Sequence, residues 1–404
     1  MPAPPVALYV HVPFCVSVCP YCDFVVYGGA AARGPRSRVG AFVDALLVEV
    51  GLRADGLDAA VGSARPALES VYLGGGTPSL LSADALADLL ALVRERFGTA
   101  AGAEITLEAN PGPDERGDLV GFARAGVNRV SFGAQSLDDP ELRRLGRRHT
   151  PTDVAEAVTA ARQAGIDNVN VDLLYDVPSQ TTASWAASLE AVLELRPDHV
   201  SLYALSLDDP DVEGLTGPLG DHLPTRSGAR RWRAAAVREQ DEDRAAGLYL
   251  DAGARLRAAG YRGYEISNWA RPGRESRHNL AYWQRRPYEA VGPGAHAFDG
   301  VTRRWNAARL DAYLSALTPT TGASPQLPPG GAESIDARQA AAEAVILGLR
   351  LDTGVAVADA NRPPLDDVLE WATALDLVRI APVERVVLTA RGRLLSNELF
   401  ARLV

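Results

Sequence analysis

The chain alternates short, nearly unbroken apolar runs with longer stretches of helical periodicity, and the alternation repeats six times over its first half. ALYVHV (7–12), SVYLGGG (70–76), EITLEAN (104–110), NRVSFGAQ (128–135), NVNVDLLYDVP (168–178) and HVSLYALS (199–206) read as strands. Helices are expected near 39–54, 82–97, 114–125, 138–146, 152–164 and 182–195. Runs without clean two-residue alternation suit strands covered on both faces, and repeated strand–helix units imply a parallel sheet with right-handed crossovers. The expected class is α/β.

Beyond residue 206 the pattern changes. Residues 208–243 are charged and loop-like and read as an excursion from the sheet edge. A helix is expected over 241–259 and a strand over YRGYEISNWA (261–270). TPTTGASPQLPPGGAE (near 318–332) reads as a Pro/Gly-rich linker. After it, helices near 336–349 and 364–376 and a hairpin in VRIAPVERVVLTARGRLL suggest a small winged-helix-like unit. The expected division is 1–210, 211–320 and 335–404.

In a parallel α/β sheet, ligands gather at the C-terminal ends of the strands. The polar and glycine residues of this chain lie there: Cys15 to Cys22 after the first strand, Gly74 to Thr77 after the second, Glu108 and Asn110 after the third, then Gln135 and Asp172.

Composition narrows the partners. A net charge of -10 argues against nucleic acid. No apolar run approaches the roughly 20 residues that span a bilayer, and PAPPVALYV after Met1 has neither a basic start nor a long apolar core, so no signal peptide is expected. All 41 basic side chains are arginines, which favour planar contacts with carboxylates and phosphates. Cysteines confined to one motif fit a reducing cytoplasm.

The chemistry starts with those cysteines. Cys15, Cys19 and Cys22, in HVPFCVSVCPYCDF, are the only three in the chain. An odd count argues against a disulfide framework. Spaced C-x3-C-x2-C, they can hold three irons of a [4Fe–4S] cluster and leave the fourth without a protein ligand, whereas a ferredoxin-type cluster takes four cysteines. The competing reading is a structural zinc site of the Cys3His type completed by His11.

Taken together these segments resemble the radical S-adenosylmethionine (SAM) superfamily, and more narrowly the group containing oxygen-independent coproporphyrinogen III oxidase and the HemW-type heme chaperones. The resemblance covers about residues 5–310. It implies a partial (β/α)6 radical SAM barrel with a smaller C-terminal α/β winged-helix-like domain, a [4Fe–4S] cluster on Cys15, Cys19 and Cys22, and SAM chelating the open iron. By the same resemblance, Tyr9, Gly75, Gly76, Thr77, Glu108, Gln135, Arg147 and Asp172 fall where family members contact SAM. In that role the glycines let backbone approach the ligand, and Arg147 pairs with the methionyl carboxylate.

Two features separate the branches. Oxidases of the family continue the triad to a fourth cysteine, where this chain has Phe24, and carry an N-terminal extension for which there is no room before Cys15. HNLAYW matches the H-N-x-x-Y-W motif associated with heme binding in the chaperone branch. His278 would offer iron an imidazole, Tyr282 and Trp283 a flat apolar surface, and Arg277, Arg285 and Arg286 contacts to propionates. The plainer reading is a helix start capped by Asn279 with its aromatics in the core. His296, in GPGAHAF, is the second candidate ligand, and His222 falls on the charged excursion. The resemblance implies a chaperone that binds heme and delivers it to apo-hemoproteins such as respiratory enzymes, as a dimer when loaded and touching membrane only peripherally through a partner. The alternatives are conversion of coproporphyrinogen III to protoporphyrinogen IX and a zinc-stabilised scaffold.

Overall fold

The computed structural model describes residues 3–318, 322–360 and 365–403. The six expected strands form, as β1 (Ala7–Val12), β2 (Leu68–Gly75), β3 (Thr99–Ala109), β4 (Arg129–Gln135), β5 (Asn168–Tyr175) and β6 (His199–Ala204). They pair in parallel in sequence order. Alternate residues of each strand pack under the flanking helices: Leu8, Val10, Leu73, Leu107, Phe132, Val171 and Leu202 join Phe42, Leu46, Leu89, Val154 and Trp185 in one apolar core. Helices cover the sheet because each crossover must return the chain to its starting edge.

The helix ends follow local chemistry. The first helix runs past its expected end, Val39–Val61, whereas Asp118 caps Gly121 and delays the third to Leu119–Ala125. Thr150 and Thr181 each close a reciprocal capping box.

The sheet extends further than the sequence pattern indicates. YRGYEISNWA is not one strand but two short antiparallel ones, β7 (Arg262–Gly263) and β8 (Asn268–Ala270), with β8 on the edge of β6. On the other side β9 (Tyr288–Val291) joins β1 in parallel, followed by antiparallel β10 (His296–Phe298), β11 (Thr302–Asn306) and β12 (Gly330–Ser334). The order is β12-β11-β10-β9-β1-β2-β3-β4-β5-β6-β8-β7. The stretch expected to be a linker therefore ends in a strand of the main sheet, because pairing with Thr302–Asn306 satisfies its backbone. Residues 319–321 of that stretch, and 364 at the start of an expected helix, lie outside the described residues.

The 208–243 excursion contains a helix, Ser227–Ala236, that its charge masks. The C-terminal unit packs helices Ala337–Arg350 and Leu365–Ala374 on a three-stranded sheet of Val355–Ala356, Arg385–Leu388 and Val378–Ala381, around its own apolar cluster. Among the described residues, no helix is long and apolar enough to cross a membrane.

Candidate functional site

β1 ends at Val12 and runs into the loop that carries all three cysteines. The loop is tied to the end of β2: the Gly76 N–H donates to Val12 (2.9 Å) and the Thr77 N–H to Phe14 (2.7 Å). A Cβ on Gly76 would lie 2.6 Å from the Phe14 oxygen, and one on Gly75, at φ +100, would lie 2.3 Å from the His11 ring. Both glycines are thus required by the close passage of β1 and the start of the cysteine loop past the end of β2.

The strand ends then reach the sulfurs. Thr77 Oγ1 donates to Cys15 Sγ (3.3 Å) and accepts from Asn110, which also donates to Glu115. Arg147 donates to Cys19 Sγ (3.6 Å), to Asn110 Oδ1 (2.5 Å) and to the Gly133 carbonyl (2.6 Å). Arg147 is therefore aimed at the cysteine loop, with its Nη2 already used by protein acceptors. Burial pushes the Cys15 thiol up to about 11 against the Thr77 hydrogen bond, and burial followed by the neighbouring Cys15 and Cys19 pushes Cys22 up further. Loading a cluster requires deprotonation of these thiols, so it releases protons.

The Cys3His alternative rests on His11, whose ring nitrogens are both engaged within the protein. Among the described residues no group of three or more His, Cys, Asp or Glu side chains is arranged to hold a metal ion. His11 is 4% exposed, with Nδ1 bonded to the Tyr9 hydroxyl (3.0 Å) and Nε2 to the Val25 carbonyl (2.9 Å).

The remaining strand-end residues face the same region. Glu108 accepts from the Tyr72 hydroxyl (2.7 Å) and the Gly75 N–H (3.0 Å), and burial raises its carboxyl to about 7. Asp172 accepts from Ser131 (3.0 Å) and Asn170 (2.7 Å); burial raises its carboxyl too. Gln135 ends β4 at φ +67, a conformation that costs a non-glycine residue energy and concentrates at functional sites. Tyr9 lies on β1 with its ring 6.3 Å from that of Tyr72.

HNLAYW forms a short helix, Arg277–Trp283, capped by Ser276, not Asn279. Glu104 accepts from the Arg277 and His278 N–H groups and pins the helix start. His278 is 1% exposed, with Nδ1 bonded to Ser70 (3.0 Å) and Nε2 to Tyr282 (2.9 Å); burial, then Arg129, lower it to about 3. In this arrangement the His278 imidazole is not presented to an iron atom, because both ring nitrogens are committed within the core. The arginines expected at propionates are engaged as well: Arg286 with Glu69, Arg285 with Glu343, and Arg277 with the Gly102 carbonyl. Trp283 lies under the Arg350 guanidinium at 4.3 Å.

Two cavities flank this helix. One, of about 280 Å³, is lined by Tyr9, His11, Tyr282 and Tyr288, by Asp23, Phe24 and Val25 of the cysteine loop, and by Asp221, His222 and His296. The other, of about 250 Å³, is lined by Tyr282, Trp283, Tyr288, Phe298, Arg285 and Arg303. The first joins the segment after Cys22 and the candidate SAM residue Tyr9 to Tyr282 of HNLAYW.

Sequence reading missed Arg233. It is 5% exposed and donates to the carbonyls of Pro20 (3.2 Å), Tyr21 (3.1 Å), Cys22 (2.9 Å) and Asp208. One guanidinium in the excursion helix therefore holds the cysteine loop. The nearest signal was an arginine-rich run, ARRWR, within the charged excursion.

A parallel sheet in this order, with a three-cysteine loop leaving its first strand, defines the radical SAM class, and the model of the radical SAM superfamily matches residues 9–192. The heme chaperone HemW of Mycobacterium tuberculosis is 38% identical over 400 residues, covering 98% of this chain and 94% of that protein. HemW of Escherichia coli is 38% identical over 72% of this chain and 70% of its own length. The solved coproporphyrinogen III oxidase of Escherichia coli superposes with a TM-score of 0.77 at 23% identity, covering all of this chain and 91% of that one, which speaks to fold alone. The chain belongs to the HemW heme-chaperone family of the radical SAM superfamily. Membership implies a [4Fe–4S] cluster and SAM.

Proposed function

We propose that this protein is a cytoplasmic heme chaperone: it binds heme beside a SAM-liganded [4Fe–4S] cluster and delivers it to apo-hemoproteins such as respiratory enzymes. The observation that carries the reading is the aromatic cavity in which Tyr9, Tyr282 and Tyr288 meet the cysteine loop. Flat aromatic walls suit a porphyrin face. At about 280 Å³ the cavity lies just below the usual size of ligand pockets, roughly 300–1,000 Å³. A bound porphyrin would extend beyond it, leaving part of the macrocycle accessible, as transfer to another protein requires. Likeness to proteins named heme chaperone along nearly the whole chain supports the same reading.

Cys15, Cys19 and Cys22 would hold the cluster, which when bound supplies one-electron chemistry to SAM. Thr77 and Arg147 hydrogen-bond two of the sulfurs and so orient the loop. Tyr9, Gly75, Gly76, Glu108, Gln135 and Asp172 would surround SAM, with Glu108 and Asp172 accepting from its amino and hydroxyl groups. Phe24 is 61% exposed at the cavity and supplies apolar surface where the oxidases carry a fourth cysteine.

The test is a hemin titration of the anaerobically reconstituted full chain, followed by addition of apomyoglobin as a heme acceptor. A saturable Soret band that transfers to the acceptor is expected; no saturable binding overturns the reading. An anaerobic assay with coproporphyrinogen III, SAM and a reductant is expected to yield no protoporphyrinogen IX, and turnover would favour the oxidase alternative.

Glu108 gives a pH prediction. Its carboxyl sits near 7 because the folded protein buries it, so it is protonated below that value and an acceptor above it. SAM affinity is expected to rise from pH 6 to pH 8 and to lose that rise in Glu108→Gln. For stability the sign is opposite: between the ordinary carboxylate range and about 7 the folded state holds a proton the unfolded state has lost, so this group's contribution falls as pH rises through that window.

A further inference from the structure

Resting on the reading that this chain binds heme, we propose that the iron-ligating imidazole comes from the pair His296 and His222, bridged by Asp221 at the aromatic cavity, and not from His278.

The histidines sort by what their ring nitrogens do. His11, His199 and His278 each have both nitrogens hydrogen-bonded inside the protein. His149 is buried and bonded to the Ala134 carbonyl. The side chains of His222 and His296 alone keep substantial exposure, 31% and 36%, and both line the aromatic cavity. Each uses one nitrogen on the same carboxylate: His296 Nε2 lies 2.7 Å from Asp221 Oδ2, and His222 Nδ1 lies 3.0 Å from Asp221 Oδ1. With those nitrogens donating, the lone pairs of His296 Nδ1 and His222 Nε2 have no hydrogen-bond partner among the described residues.

A metal-ligating histidine almost always donates its other N–H to a carboxylate, carbonyl or water, and a carboxylate there fixes the tautomer and raises the basicity of the ligating nitrogen. Asp221 is fitted to that task. Burial opposes its charge, yet hydrogen bonds from His222 and His296 hold its carboxyl well below the usual range, so it stays an acceptor. The rings are also held in place. His296 opens β10 and stacks on Trp305, with centroids 5.9 Å apart and planes at 22°. Trp305 in turn donates its indole N–H to the Leu219 carbonyl (3.1 Å), and the Ala308 N–H donates to Gly220 (2.8 Å), which fixes the Asp221 segment against β11.

Ligation needs no redox step: a nitrogen lone pair enters the iron coordination sphere and displaces a bound water. Tyr282 then keeps the place HNLAYW gives it, as an aromatic wall of the cavity, while His278 anchors that wall through its bond to the Tyr282 hydroxyl. The motif shapes the heme surface and the iron ligand comes from across the cavity.

The test uses substoichiometric hemin with the full chain and reads the Soret position, the imidazole-ligated spectrum and the apparent affinity. The double variant His222→Ala/His296→Ala is expected to lose the imidazole spectrum and at least tenfold in affinity, with added imidazole restoring the spectrum. Asp221→Asn keeps both rings and is expected to raise the heme reduction potential, as a less basic imidazole stabilises ferric iron less. A wild-type spectrum and potential in these variants, or loss of the spectrum in His278→Asn with the double variant unchanged, overturns the assignment while leaving heme binding intact. Absence of hemin binding by the wild-type chain overturns the functional reading itself, and the assignment with it.

Discussion

Replacing Cys19 by alanine is expected to abolish cluster assembly. Anaerobic reconstitution of the wild-type chain should give about four iron and four sulfide per chain, and the variant close to none. With three cysteines in the whole sequence, no other thiolate can take over the lost iron. The vacated site would also leave the Nη1 of Arg147 facing a gap where it now donates to sulfur. The substitution touches a half-buried loop outside the apolar core, so the thermal unfolding midpoint of the cluster-free protein is expected to change little. Recovery of zinc in place of iron by the wild-type chain would sink both the cluster and the SAM reading.

The second large effect is expected at Arg233, far from the cysteines in sequence. Arg233→Ala removes the donors to four backbone carbonyls, three of them within the loop between Cys19 and Cys22. A buried acceptor left without a partner costs on the order of 1–3 kcal/mol. Partial hydration of the loop limits the sum to about 3 kcal/mol, equivalent to a roughly hundredfold rise in loop opening. Bleaching of the cluster by a chelator should therefore accelerate at least tenfold, while the far-ultraviolet circular dichroism stays unchanged. Arg233→Lys should recover only part of the loss, since an ammonium cannot span the carbonyls that the planar fork reaches. Wild-type bleaching in Arg233→Ala would show that the loop holds itself.

The six parallel strands were legible because strands covered on both faces carry unbroken apolar runs. The cysteine loop was legible because its ligands are local in sequence. The seventh parallel strand, Tyr288–Val291, was not, since YEAV is too short to signal and its partner Ala7–Val10 lies at the other end of the chain. The strand Gly330–Ser334 was hidden for a related reason: glycines and polar residues there pair through backbone alone. The helix Ser227–Ala236 was masked by charge that serves packing, Arg233 above all.

Within the site, strand-end spacing picked out Cys15, Cys19, Cys22, Thr77, Glu108 and Asp172, because the end of a parallel strand is a position sequence can count to. What each side chain faces could not be counted. Gly75 and Gly76 pack against His11, Val12 and Phe14. Arg147 turned toward a cysteine, and His278 toward Ser70, 208 residues away. The sequence by itself determined the parallel fold and the three-cysteine loop, since both rest on local pattern and spacing, and its motifs carried the resemblance to the family. Tertiary structure alone decided which polar groups are already satisfied and which remain open to a ligand, because that depends on partners brought together from distant parts of the chain.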